Sequence, residues 1–228
     1  MRPDSVMLFA AGFGTRMGEL TANRPKPLIP VAGKALIDHA LEQVQAIQPR
    51  RVVANLHYLP DQIRTHLAGQ DIAFSDESNQ ILETGGGLRA ALPLLGDAPV
   101  FTMNTDAVWQ GPNALHLLQD SWNPDRMDAL LLCIPRENAV GHAGQGDFLL
   151  DGQGRLTRGP GLVYSGVQIL KTDGLASIAD DAFSLNLLWN QMLAQGRLYG
   201  LTYPGKWCDV GHPEGIALAE NMIGYRHV

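Results

Sequence analysis

The sequence predicts an α/β fold: one domain over residues 1–228, with a predominantly parallel, mixed central sheet and helices on both faces. Three observations predict it. Short apolar runs alternate with stretches of helical periodicity along the first half of the chain, which is βαβα order. The first run, Val6 to Ala11, is apolar throughout and ends at glycine, as in a parallel strand buried on both faces. Of the 228 residues 45% are hydrophobic and 18% charged, enough apolar material for one substantial core.

The elements follow in order. A glycine-rich loop leaves the first strand. From Ala35 to Ile47 the apolar residues Leu36, Ile37, Ala40, Leu41, Val44 and Ile47 recur at helical spacing, and Pro49 stops the pattern. Next come strand "RRVVANL", helix "PDQIRTHLAG", strand "DIAFS", a glycine cluster from Thr84 to Gly87 opening helix "GGLRAALPLL", and strand "PVFTMNTD". The order is looser afterwards. A helix around "NALHLLQDSW" and strand "DALLLCIP" precede a Gly/Asp-rich stretch, "GQGDFLLDGQGRLTRGPG", that reads as a hairpin. "LVYSGVQIL" alternates like a strand, "SLNLLWNQMLAQG" is a helix closed by glycine, "RLYGLTY" and "KWCDV" are short strands, and "HPEGIALAENMIGYR" is a final helix with Pro213 near its start. No repeat domain follows it in the sequence. Ile216, Leu218, Met222 and Ile223 of that helix are expected to pack on the chain's own core, and the oligomeric state stays open.

A net charge of −6 argues against a nucleic-acid binder working through a general basic surface, and leaves room only for a local cationic pocket. Cys133 and Cys208 lie far apart with no Cys/His cluster around either, so neither a disulfide framework nor a zinc site is expected. The N-terminal apolar run is too short to cross a membrane and carries Asp4 where a signal peptide would be basic. A cytoplasmic protein without membrane or nucleic-acid partners is therefore expected.

The loop after the first strand carries the chemistry. Gly12 and Gly14 can bring bare backbone N–H groups up to phosphate oxygens, because glycine tolerates positive φ and has no side chain to block approach. The dinucleotide fingerprint fails at Met17, and a P-loop fails at "VAGKA", where Ala35 replaces Ser or Thr. What remains is G-x-G-T-R-M, with Lys26 ten residues after Arg16 in "RPKP", where Pro25 and Pro27 keep the backbone extended. Two cations face one anion.

Gly12 to Pro27 resembles the signature of the sugar-phosphate nucleotidyltransferases, which make nucleotide sugars from a nucleoside triphosphate and a sugar 1-phosphate. "NTD" at Asn104–Asp106 resembles that family's metal aspartate at a strand end, "YSGVQIL" its sugar-side glycine strand, and "KWCDVGHPE" its second metal aspartate, so the likeness extends over nearly the whole chain. It implies a Rossmann-like nucleotidyltransferase fold and an attack by a sugar-phosphate oxygen on the α-phosphorus, with pyrophosphate leaving. It implies catalytic roles for Arg16, Lys26 and Asp106, with Arg16 on the leaving pyrophosphate and Lys26 on the α-phosphate or sugar phosphate. Asp106 and Asp209 are the implied ligands of Mg²⁺, which prefers oxygen donors and keeps several waters.

The nucleotide site implied by the resemblance comprises Ala11, Gly12, Gly14, Thr15, Arg16, Lys26, Glu83, Thr84, Gly85, Gly86 and Thr105. The second glycine turn, "LETGGGLRAAL", suits backbone contacts to a nucleobase edge, and "ETGGG" is more like the uridylyltransferases than the guanylyltransferases. Thr105 is a departure, since the family usually has glycine before the metal aspartate. Its Cβ and hydroxyl either narrow the pocket or contact the ribose.

"AVGHAGQGDFLL" resembles the corresponding stretch of the members that uridylylate N-acetylmuramate 1-phosphate in cell-wall sugar recycling. Asn138, His142, Gly146, Asp147 and Gly166 are the implied sugar-side residues, though a plain hairpin turn explains the glycines of the segment equally well, and glycine on a strand also marks a bulge. UTP is thus the first-choice donor. Mannose-1-phosphate guanylyl transfer, glucose-1-phosphate thymidylyl or uridylyl transfer, a nucleotide-sugar sensor without turnover and, less well matched, a hydride-transferring dinucleotide enzyme stay open. Lys171 is expected to be a solvated strand end; His39, His57, His66 and His116 to be surface or helix positions; and Cys208 to serve packing.

Overall fold

A computed structural model describes residues 2–96 and 99–226. The first half runs β1 (Ser5–Phe9), the 3₁₀ turns Thr15–Thr21 and Lys26–Leu28, the small pair β2 (Pro30–Val31) and β3 (Lys34–Ala35), α1 (Leu36–Ala46), β4 (Arg51–Leu56), α2 (Pro60–His66), β5 (Ala73–Asp76), α3 (Glu83–Leu95), β6 (Val100–Asn104), β7 (Ala107–Gln110) and α4 (Ala114–Ser121). The second half runs β8 (Ala129–Ile134), β9 (Ala139–Val140), the hairpin β10 (Phe148–Leu150) and β11 (Leu156–Arg158), β12 (Val163–Leu170), α5 (Asn186–Ala194), β13 (Leu198–Thr202), β14 (Lys206–Asp209) and α6 (Glu214–Ile223).

Seven strands form the central sheet in the order β13-β8-β12-β6-β1-β4-β5. Only β12 runs against its neighbours β6 and β8; the other pairings are parallel. The sheet is thus mostly parallel and mixed. The alternation of each strand's side chains decides which helix covers which face. Val6 and Leu8 of β1 join the apolar cluster under α1, α2 and α4, whereas Met7 between them joins the cluster under α3 and α5. Both faces of β8 are covered, and all six of its residues are buried.

A third, smaller cluster lies outside the sheet. It unites Met17, Ile29, Val31, Leu36, Val108, Cys208, Val210 and Ala219, with Ile216, Met222 and Ile223 of α6 packed against it. Leu218, expected among the packed residues of that helix, is 40% exposed. The surroundings of Cys208 come from β7, which the sequence reading left out: β14 pairs antiparallel with β7 and parallel with β9.

One further expectation fails. Lys171 is not a solvated strand end, for its Nζ lies 2.8 Å from Asp128 Oδ1 and donates to the Pro124 carbonyl. Asp128 binds Arg197 Nε at 2.8 Å with its other oxygen, so a carboxylate after the β7–α4 segment draws the lysine inward.

Candidate active site

The chain order creates the cleft. From β1 the sheet grows through β4 to β5 on one side, and α3 then returns the chain to β6 on the other side of β1. The loops leaving β1 and β6 therefore diverge, which opens a crevice at the strands' carboxyl ends. Its walls include Ala10, Ala11 and Gly12 after β1, Asn55 at the end of β4, and Asn104, Thr105 and Asp106 after β6, around a cavity of about 220 Å³.

Charged groups collect at its edge. Lys26, only 8% exposed, opens the second 3₁₀ turn after an extended Pro25, and its Nζ lies 2.6 Å from Asp106 Oδ2. Asp209 lies opposite Ala107 in the β14–β7 pair, and the Val210 N–H donates to the Asp106 carbonyl at 2.9 Å, so the two aspartates occupy adjacent backbones. Arg16 comes from the other side. A Cβ added to Gly211 would meet Asp209 Oδ2 at 3.1 Å and Arg16 Nη1 at 3.3 Å, so Arg16 and Asp209 share one small space that a side chain at 211 would crowd. Burial and the neighbouring Asp106 carboxylate push the Asp209 carboxyl up from its ordinary value, while Lys26, Arg16 and His142 pull it down.

The third cluster explains the convergence. Met17 follows Arg16, Ile29 lies one turn after Lys26, Val108 follows Asp106 by two residues, and Cys208 and Val210 flank Asp209. Burying these neighbours together brings four charged side chains, remote in sequence, to one rim.

The glycines divide into two kinds. Gly12 has nothing within 4 Å of an added Cβ and lines the cleft, as a backbone meant for close approach should. Gly14, at φ +65°, instead makes room for Lys26, whose Cβ would lie 2.8 Å from one added there. Ala11 is buried and lines the cleft, and Thr15 is exposed at the start of the first 3₁₀ turn.

The α3 entrance differs from expectation. Glu83, at φ +58°, and Thr84 line the cleft, but the N–H groups of Gly85 and Gly86 both donate to the Phe183 carbonyl, at 2.8 and 3.1 Å. Added Cβ atoms would meet Phe183 at 2.4 Å and the Asp181 carbonyl at 2.3 Å. These two glycines permit close packing of the 181–183 backbone and offer no free donor to a base. Thr105 likewise turns inward: its hydroxyl donates to the Phe9 carbonyl at 2.8 Å, tying the ends of β6 and β1 together, so its proton is not available to a ribose in this arrangement.

Asn55 and Glu77 were not among the residues singled out from the sequence. Asn55 accepts the Ala10 N–H at 2.8 Å and donates at 2.7 Å to Glu77, whose other oxygen accepts the Leu82 N–H at 3.1 Å. Both are buried. Their network ties the glycine loop to the start of α3 across the cleft floor. The signal was a polar residue inside the apolar run "RVVANL", which a buried strand tolerates only when it is hydrogen-bonded.

A second cavity of about 280 Å³ adjoins the first and shares Phe9, Thr84 and Asn104 with it. Asp147 lines it and accepts the Tyr164 N–H at 2.8 Å. The other sugar-side expectations fall elsewhere. Gly146, at φ +90°, packs against Gly161, whose carbonyl oxygen would lie 2.2 Å from an added Cβ. Gly166, at φ +82°, sits where the β12–β8 register shifts, and an added Cβ would meet the Asn104 side chain at 2.7 to 2.9 Å. It is a bulge glycine that makes room for the asparagine both cavities share. Asn138 ends a 3₁₀ turn before β9 and lines neither cavity, and His142 acts on Asp209 instead of joining the second cavity.

Among the described residues no three His, Cys, Asp or Glu side chains gather into a metal cage. Two carboxylates on adjacent backbones are a hard, oxygen-only donor set that is too small to enclose a cation alone. That set fits Mg²⁺ completed by phosphate oxygens and water. Among the described residues no helix is long and apolar enough to cross a membrane.

Residues 6–153 match the family described as MobA-like NTP transferase domain. The N-acetylmuramate alpha-1-phosphate uridylyltransferase of Caulobacter vibrioides is 40% identical over 235 residues, 97% of this chain and 97% of that protein. A protein of the same name from Neisseria meningitidis serogroup B is 35% identical over 228 residues, 96% of this chain and 97% of its own length. HddC from Yersinia pseudotuberculosis, solved with GMP-PN, superposes with a TM-score of 0.77 over 97% of this chain and 99% of its own, at 21% identity, which speaks for the fold alone.

Proposed function

The chain belongs to the MobA-like NTP transferase family and is a sugar-phosphate nucleotidyltransferase, and on that premise we propose that it transfers uridylyl from UTP to N-acetylmuramate 1-phosphate. A phosphate oxygen of the sugar attacks the α-phosphorus, the bond from that phosphorus to the bridging oxygen of the β-phosphate breaks, and pyrophosphate leaves. The product, UDP-N-acetylmuramate, fits the recycling of cell-wall sugar in the cytoplasm. Full-length similarity to two uridylyltransferases of that specificity supports the choice of substrates.

The observation that carries the chemistry is the meeting of Arg16, Lys26, Asp106 and Asp209 at one rim. Both reactants are polyanions, so mutual repulsion is the first barrier. Gly12 lets the phosphates reach the backbone, Lys26 faces the α-phosphate or the sugar phosphate, and Arg16 faces the departing pyrophosphate. Because packing and the Asp106 pair already hold Lys26 in place, its charge needs little reorganisation during the reaction. Asp106 and Asp209 would hold Mg²⁺, which when bound supplies further neutralisation of phosphate charge. Glu83 and Thr84 line the nucleotide side of the cleft.

Pyrophosphate release measured over a grid of nucleoside triphosphates and sugar 1-phosphates tests the reading. UTP with N-acetylmuramate 1-phosphate is expected to give the highest kcat/KM. A higher value for GTP with mannose 1-phosphate, or for dTTP with glucose 1-phosphate, would replace the substrates. Absence of pyrophosphate from every pair would leave a binding protein without turnover.

A further inference from the structure

The second cavity holds a cation without a counterion. Arg158, at the end of β11, lines it together with Phe148, Tyr164 and Trp189, and the first two rings each meet Trp189 edge to face. Its guanidinium carbon lies over the Phe148 ring, 4.7 Å from the centroid, and over the Trp189 ring at 5.6 Å. Its Nη2 donates to Asn186 Oδ1 at 2.6 Å and to Asn190 Oδ1 at 3.4 Å. These partners are neutral amides. Among the described residues no carboxylate lies within ion-pair distance of Arg158, although the chain as a whole carries six more negative than positive charges. Asp147 lines the same cavity and its charge reaches Arg158, but it lies beyond ion-pair distance and its Oδ2 accepts the Tyr164 N–H.

An arginine set over two rings, steered by amides and free of any ion pair keeps its planar fork open to a carboxylate. The position of the cavity says which one. Asn104 belongs to both cavities and precedes Asp106 by two residues, roughly 6–7 Å of extended chain, so the second cavity adjoins the rim where Lys26 and Asp106 meet. A sugar whose anomeric phosphate lies at that rim extends its ring and far substituents into the second cavity. N-acetylmuramate differs from N-acetylglucosamine by one such substituent, a lactyl ether on carbon 3 that ends in a carboxylate.

We propose that Arg158 binds this lactyl carboxylate and sets the preference of the enzyme for N-acetylmuramate 1-phosphate over N-acetylglucosamine 1-phosphate. The assignment rests on the acceptor proposed above. It makes Arg158 a specificity residue, touching the substrate far from the reacting phosphorus, with Asn186 and Asn190 as the residues that aim it. Phe148 and Trp189 then serve as the corner of two rings against which the guanidinium is set.

The test compares both sugar phosphates, with UTP, in the wild type, Arg158→Gln and Arg158→Lys. Wild type is expected to favour the muramate. Arg158→Gln is expected to lower the muramate-to-glucosamine ratio of kcat/KM by roughly thirtyfold, the loss of one charged hydrogen-bonded contact, mainly through the KM of the muramate. Arg158→Lys, which keeps the charge but not the fork, should fall between. Calorimetric binding of UDP-N-acetylmuramate and UDP-N-acetylglucosamine gives the same ratio independently of turnover. Equal losses for both sugars would mean that the arginine only packs the rings or contacts the phosphate, and would overturn the proposal. A wild type that transfers no uridylyl to N-acetylmuramate 1-phosphate would instead remove the acceptor assignment itself.

Discussion

Lys26 Nζ lies 2.6 Å from Asp106 Oδ2, across 80 residues of sequence. The pair is partly buried, at 10% and 28% side-chain exposure. Neither charge is therefore free to act alone, and removing one leaves the other poorly compensated. Lys26→Met should lower kcat/KM by a factor of roughly 100 to 1,000, about 2.7–4 kcal/mol of transition-state stabilisation. The double variant with Asp106→Asn should lose much less than the product of the two single losses, because the residues act as a unit. Multiplicative losses in pyrophosphate release would contradict the coupling.

Asp106→Asn and Asp209→Asn each keep the shape of the side chain and remove a charge. Both are expected to bind Mn²⁺, as a magnetic stand-in for Mg²⁺, at least about tenfold more weakly in the presence of UTP. Electron paramagnetic resonance of free Mn²⁺ reads this directly, and far-ultraviolet circular dichroism checks that the fold persists. Unchanged Mn²⁺ affinity in both variants would remove the carboxylates from the metal site.

Gly166→Ala places a methyl group against the Asn104 side chain at a residue with φ +82°. A loss of about 1–3 kcal/mol in urea unfolding is expected. Because Asn104 belongs to both cavities, KM for the sugar phosphate should rise as well. A variant as stable as wild type would show that the bulge relaxes without strain.

Burial alone would raise the Asp128 carboxyl, but hydrogen bonds from Arg197 and Lys171 outweigh it and hold the group below the usual carboxylate range. A carboxyl lowered by folding stabilises the protein above its unfolded pKa of about 3.9, and that contribution is lost as pH falls through the folded value. Asp128→Asn should therefore melt earlier than wild type at pH 7 and show a flatter decline below about pH 4. Parallel Tm-against-pH curves would refute this.

Much of the fold was legible because its signals are local. α1 follows the spacing of Leu36, Ile37, Ala40, Leu41 and Val44, all buried, and β1 and β8 follow from unbroken apolar runs. β7 and β9 were not legible, since β7 follows β6 after only two residues, β9 has two residues of its own, and both are strands through their pairing with β14 between them. In the candidate site, the two cations and two aspartates stand out in the sequence because their flanking residues are distinctive. Gly85, Gly86, Gly146 and Gly166 share one property: the sequence shows that a glycine is bare, but only the fold shows that its free space faces other groups of the chain. Asn55 and Glu77 lie 22 residues apart, Asn55 also binds Ala10 45 residues away, and Gly211 faces Arg16 195 residues away, beyond the reach of any motif.

The small apolar cluster beneath Met17, Val108, Cys208 and Val210 has eight buried members and leans on α6, close to the carboxyl end of the chain. Such a satellite can loosen while the two larger clusters flanking the sheet stay intact. On warming, the protein would then stop working before it stops being folded, and saturating it with nucleotide would bring the two temperatures together.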